Sequence, residues 1–78
     1  MQVVVHNLPW SCTWQRLKEV FSQWEVVRAD VIVDEYGRSR GFGTVRFSSE
    51  QDATAAIEAI NGIEMDGRKI TVRLDRYA

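Results

Sequence analysis

Arg40-Gly41-Phe42-Gly43-Thr44-Val45-Arg46-Phe47 places a cation, a phenyl ring, a hydroxyl and a second cation at every other position. On an extended strand, side chains two apart share a face. This spacing therefore presents Arg40, Phe42, Thr44 and Arg46 together. Their chemistry is recognition, not bond breaking. A guanidinium pairs with phosphate and stacks on flat rings, and a phenyl face takes up an aromatic base.

The inventory for catalysis is thin. His6 is the single histidine and Cys12 the single cysteine, so no nucleophile, base and orienting group can be assembled. No His, Cys and carboxylate grouping has metal-ligand spacing. Gly41-Phe42-Gly43 lacks the third glycine of a dinucleotide fingerprint and lies inside a strand, not at a strand-to-helix turn. Asp34, Glu35, Asp52 and Asp66 read as loop and cap residues. No enzymatic activity, metal or cofactor is expected. A lone Cys12 cannot form an internal disulfide and reads as a small residue flanking a helix.

Seventy-eight residues make one domain, over 1–78. A chain of that size buries only about 60–65% of its unfolded surface, so its margin of stability is small. Hydrophobic residues are 45% and charged residues 27%, as in an ordinary globular domain. No apolar run approaches the roughly 20 residues of a membrane helix, and no signal-peptide pattern precedes the first strand. The abrupt start and end imply a domain excised from a longer protein. The net charge of −1 advertises no nucleic-acid partner, but eight of the ten cations are arginines, so their placement matters more than the sum.

Val3-Val4-Val5-His6-Asn7-Leu8 is a β-branched run closed by Pro9, a strand with a firm stop. Ser11-Cys12-Thr13 supplies N-cap candidates, and Trp14, Leu17, Val20, Phe21 and Trp24 recur at helical spacing. Val26 to Val33 predicts a second strand, 34–39 a polar loop and 40–47 the third strand. Ser48-Ser49-Glu50-Gln51-Asp52 opens a second helix with the apolar stripe Ala53, Ala56, Ile57 and Ile60, ended by Asn61-Gly62. Ile63 to Met65 reads as a short extended piece, Asp66-Gly67 as a tight turn, and Ile70 to Leu74 as a last strand.

The order βαββαβ predicts an α+β, ferredoxin-like sandwich: a four-stranded antiparallel sheet with two helices on one face. Alternation then sorts the strands. Val3, Val5, Ala29, Val31, Val33, Val45, Phe47, Ile70, Val72 and Leu74 are expected inward. Val4, His6, Asp30, Ile32, Arg40, Phe42, Thr44, Arg46, Thr71 and Arg73 are expected on the free face, with Asp30 its one acid. Trp14 and Trp24 are expected in the core or at its edge.

The octapeptide fits seven of the eight positions of the basic, Gly, aromatic, small, aromatic, Val, any, aromatic string of the RNA recognition motif family, and the chain resembles that family over its whole length. Val3 to Leu8 resembles the family's first-strand motif. Asn7-Leu8-Pro9-Trp10, Thr13-Trp14, Leu17-Lys18 and Arg73-Leu74-Asp75-Arg76 are similar to the heterogeneous nuclear ribonucleoprotein M branch. The resemblance implies single-stranded RNA lying across the sheet, two rings stacking on successive bases and a third packing against sugars.

Here the two stacking positions hold Val4 and Thr44, and only Phe42, at the sugar-packing place, is aromatic. At ~1–3 kcal/mol per stacked base, two missing rings cost on the order of 2–6 kcal/mol. The isolated domain is therefore expected to bind weakly, micromolar at best. His6, Arg46, Arg73 and Tyr77 are the side chains placed to compensate, and Ile32, Arg40 and Arg76 complete the expected RNA-binding surface. The implied function is a non-catalytic RNA-binding module in a protein of RNA processing, splicing or mRNA regulation. The expected partners are single-stranded RNA and ribonucleoprotein components, with no membrane and a monomeric domain. A nuclear setting is favoured over a cytoplasmic or organellar one. The missing rings and near-neutral charge support an alternative, a protein-interaction domain using its helical face or self-association.

Overall fold

The structure, a computed structural model, describes residues 1–75; Arg76 and Tyr77, expected at the RNA-binding surface, lie outside the described residues. The elements are β1 (Gln2–His6), α1 (Trp14–Val20), β2 (Val26–Val33), β3 (Ser39–Phe47), α2 (Glu50–Ile60), β4 (Glu64–Met65), β5 (Arg68–Lys69) and β6 (Thr71–Leu74). The sheet runs β2-β3-β1-β6, all neighbours antiparallel, and β4 and β5 form a separate small hairpin. This is the expected βαββαβ sandwich with one hairpin inserted before the last strand.

Capping explains where the helices begin. Thr13 Oγ1 accepts from Arg16 N at 3.3 Å, and Ser49 Oγ accepts from Asp52 N at 3.2 Å. α1 is shorter than its apolar spacing predicts. It ends at Val20, and the chain continues in tight turns in which Phe21 N donates to Lys18 O and Trp24 N to Phe21 O. Those turns keep Phe21 and Trp24 against the core, with ring centroids 6.3 Å apart, and Phe21 meets Phe47 edge-on at 5.8 Å.

Val3, Val5, Leu17, Val45, Ala56 and Val72 are among the buried side chains of a single core between helices and sheet. Gly43 permits the tightest contact in it. A Cβ there would lie 2.5 Å from Asp30 O on the neighbouring strand β2 and 3.1 Å from Leu17 Cδ2 of α1, so any side chain would force β2 away from β3 and crowd Leu17. Cys12 is buried as well, and that burial pushes its thiol above the ordinary range despite the opposing pull of Arg16.

Two inward expectations are corrected, and the two tryptophans divide between the edge and the core. Val33 is 51% exposed, because the β2–β3 register shifts between Val31 and Val33 and breaks the alternation. Leu74 shares the inner face with Val3, yet it ends the edge strand β6 at the rim of the core and is 42% exposed. Trp14 stands half outside, at the α1–β2 edge, whereas Trp24 packs against the core.

Candidate nucleic-acid interface

Both helices pack on one side of the sheet, and the strand register orders the side chains of the other into rows. Residues directly paired in antiparallel strands point to the same face. One row runs Arg28, Arg46, Gln2. The next runs Asp30, Thr44, Val4, Arg73. The third runs Phe42, His6, Thr71, with Ile32 beside it on β2.

The third row holds the aromatic groups. Phe42 and His6 are paired across β3 and β1, their ring centroids 6.1 Å apart and their planes inclined by 31°. Phe42 is 36% exposed and Ile32 38%, so both offer apolar surface to a ligand. In the middle row Val4 and Thr44 are half-buried and adjacent, a low floor between taller neighbours. Arg46 and Arg73 are exposed.

Arg40 is exposed, but its place in the expected row is broken. Gly41 adopts φ +90°, a conformation open to glycine, and its carbonyl accepts from Leu8 N at 2.9 Å. Ile32 alone separates Val31 from Val33, whereas three residues of β3 separate the partners Gly43 and Ser39. The chain therefore bulges at Gly41 and Arg40 leaves the regular alternation. Asn7, at φ +65°, ends β1. Its Nδ2 donates to Lys69 O at 2.8 Å and its Oδ1 accepts from Arg68 Nη2 at 2.7 Å, which ties the small hairpin to this end of the sheet.

Two charged groups escaped the reading of the sequence. Arg28 lies on the open face two residues before Asp30, and its Nε donates to Asp30 Oδ2 at 2.7 Å. The alternation that exposed Asp30 was signal enough for Arg28, because the bulge between Val26 and Arg28 lies before it and leaves their two-residue spacing intact. So exposed a pair contributes about 0–1 kcal/mol to stability, yet it neutralises the acid. Asp75 is the second: its Oδ2 accepts from Gln2 Nε2 at 2.8 Å, so Asp30 is not the one carboxylate on this side. That bond crosses from the end of β6 to β1, and no local pattern announces it.

The β2–β3 loop is built as a self-contained turn. Asp34 Oδ1 accepts from Tyr36 N at 2.9 Å and Arg38 N at 3.0 Å, and Oδ2 accepts from Arg38 Nε at 3.1 Å. The Arg38 backbone N–H, followed by the Tyr36 N–H and the Arg38 guanidinium, holds the Asp34 carboxyl below its usual range. The Arg38 guanidinium also lies 5.2 Å from the centre of the Tyr36 ring. Arg38 thus serves the turn.

Among the described residues one face of the sheet is left uncovered and carries the Phe42 ring and exposed cations, and the sequence profile of the RNA recognition motif matches residues 3–71. The chain is an RNA recognition motif domain. It is 52% identical over 77 residues to myelin expression factor 2 of Homo sapiens, covering 99% of this chain and 13% of that protein. A serine/arginine (SR)-type shuttling mRNA binding protein of Saccharomyces cerevisiae is 44% identical, over 97% of this chain and 18% of its own length. The likeness to heterogeneous nuclear ribonucleoprotein M is present too: the human protein is 42% identical across 99% of this chain and 10% of its own.

The chain thus spans between 10% and 18% of the length of these relatives. Among solved structures, the Sex-lethal RNA recognition domains 1 and 2 of Drosophila melanogaster superpose with a TM-score of 0.92 at 28% identity, over 96% of this chain and 49% of theirs. A Sex-lethal protein/RNA complex superposes at 0.87 and 31% identity, over 95% of this chain and 47% of its own. Among the described residues, no helix of this RNA recognition motif is long and apolar enough to cross a membrane.

Proposed function

We propose that this domain is a non-catalytic module that engages short single-stranded RNA on its open sheet face, weakly when isolated, within a larger protein of RNA processing, splicing or mRNA regulation. The observation that carries this reading is the exposed Phe42 ring beside His6, with Arg46 and Arg73 exposed in neighbouring rows of the same sheet face, in a chain of this family. Stacking on the ring supplies an attraction tolerant of sequence, and the guanidinium groups supply phosphate contacts. Weakness follows from Val4 and Thr44, which offer no rings where two bases would stack.

The names of the relatives, an mRNA binding protein and a nuclear ribonucleoprotein among them, support a nuclear setting. The domain itself acts as a monomer. Titration with short homopolymeric RNAs, followed by NMR, tests the reading. Shifts at Phe42, His6 and Arg46 are expected, and shifts confined to the helices would overturn it.

One observation favours a second reading, protein contact. Trp14, Lys18, Val27, Arg28, Ala29 and Asp30 line a groove of about 280 Å³ at the α1–β2 edge, where Trp14 is 50% and Val27 61% exposed. A peptide seated there would leave the Phe42 and His6 signals unmoved.

A further inference from the structure

The row Asp30, Thr44, Val4, Arg73 has a carboxylate at one end and a guanidinium at the other, over a low floor of a methyl-bearing hydroxyl side chain and an isopropyl group. Three interstrand steps separate the ends, about 14 Å between backbones. That width takes one purine lying flat with side chains reaching in from both sides. The floor sits where rings are absent, so a base placed over Thr44 gains little from stacking and must be held by its edges.

The edge chemistry is asymmetric. An ionised carboxylate only accepts hydrogen bonds. Uracil places its single N–H between two carbonyl oxygens, which a carboxylate repels. Adenine and cytosine each set one amino group beside a ring nitrogen acceptor. Guanine alone sets two donors side by side, N1–H and the 2-amino group, which match the two oxygens of a carboxylate. Its N7 and O6 acceptors lie on the adjoining edge, with O6 next to N1–H, so a carboxylate that meets the N1–H side reads the donor pair alone.

Asp30 is also prepared for the task. Arg28 Nε occupies one side of Oδ2 at 2.7 Å, which orients the carboxylate and offsets its repulsion of phosphate. The carboxylate is 44% exposed, and Asp30 is paired directly with Thr44.

We infer that Asp30 is a specificity-determining residue that selects guanine for the base lying over Thr44, through paired acceptance from N1–H and the 2-amino group. This rests on the sheet-face reading of RNA binding proposed above, and it goes beyond it by naming the base.

The test uses the 78-residue domain and short uridine-rich oligonucleotides that differ at one position, which carries guanosine, inosine, adenosine or cytidine. Inosine keeps N1–H and O6 but lacks the 2-amino group. Guanosine is expected to bind about tenfold more tightly than inosine, the worth of one charge-assisted bond. Asp30→Asn, whose amide turns a donor toward a donor, is expected to erase that difference. Arg28→Ala keeps the carboxylate, so it is expected to lower affinity for every oligonucleotide and to keep the preference. Equal binding of guanosine and inosine by a domain that Phe42→Ala still weakens would overturn this inference alone, as would a preference that survives Asp30→Asn. Absence of binding to every oligonucleotide would overturn the sheet-face reading, and this inference with it.

Discussion

His6 and Phe42 face each other directly across β1 and β3, with ring centroids 6.1 Å apart, and together they make the aromatic end of the open sheet. Two rings so placed form a continuous platform wide enough for one base and its sugar. Phe42→Ala is expected to weaken binding of short single-stranded RNA by roughly 5- to 150-fold, the worth of ~1–3 kcal/mol. His6→Ala is expected to cost less, since an imidazole offers the smaller face. Isothermal titration calorimetry on both variants checks the order. Equal and negligible losses would remove the platform from the account.

Thr44 lies half-buried between Asp30 and Val4, at a place where the family carries a ring. Thr44→Phe is expected to raise affinity at least fivefold by restoring a stacking surface. The gain should appear with every homopolymer, because stacking is tolerant of sequence. Fluorescence anisotropy with labelled hexamers reads it directly, and unchanged affinity would show that RNA does not cross this strand.

Arg46 and Arg73 are exposed on the open face, and Arg40 is exposed beyond the bulge at Gly41. If each meets one phosphate, the logarithm of affinity falls against that of salt with a slope of about −2, at ~0.7 per contact. Arg46→Ala is expected to reduce the slope by ~0.7. A slope that stays the same in this variant would assign Arg46 a role other than phosphate contact.

Gly43 is the residue on which the close approach of β2 to β3 depends. Its missing Cβ would stand 2.5 Å from Asp30 O and 3.3 Å from Val31 Cα, both backbone atoms that cannot swing aside. Gly43→Val is expected to destabilise the fold by about 2 kcal/mol or more, as overpacking does, and to lower Tm by on the order of 10 °C. Thermal denaturation followed by circular dichroism measures this. An unshifted Tm would mean that β2 and β3 part freely at this point.

Asp34 closes the β2–β3 turn through three bonds from Tyr36 and Arg38, and these hold its carboxyl below the usual range. A carboxylate with a folded-state pKa below its unfolded value, about 3.9, contributes stability above that value. The contribution is lost as pH falls through the lower, folded-state pKa. The amide resonances of Tyr36 and Arg38 are therefore expected to move together in that acid range, and Asp34→Ala is expected to produce the same displacement at neutral pH. Resonances that stay fixed under both treatments would mean the turn holds without the carboxylate.

Much of this was legible from residue types and spacing. The Val3 to Val5 run, the Thr13 and Ser49 caps and the Arg40 to Phe47 string each act within a few residues, so alternation and capping rules read them directly. The inward positions of Val3, Val5, Val45 and Phe47 and the outward ones of His6 and Phe42 follow from a period of two, which local sterics enforce.

What the chain alone did not disclose is where that period breaks and which strands lie side by side. The bulge at Gly41 moved Arg40 out of its row, because β2 and β3 match unequal lengths across a shared register. The ion pair of Arg28 with Asp30, the bond from Gln2 to Asp75, and the row that sets Asp30 and Arg73 at opposite ends of a shallow floor all depend on the strand order β2-β3-β1-β6. Local preference determines which way a side chain points. Only the packed sheet decides what it points beside, because contacts between residues distant in sequence are set by the burial of the whole inner face at once.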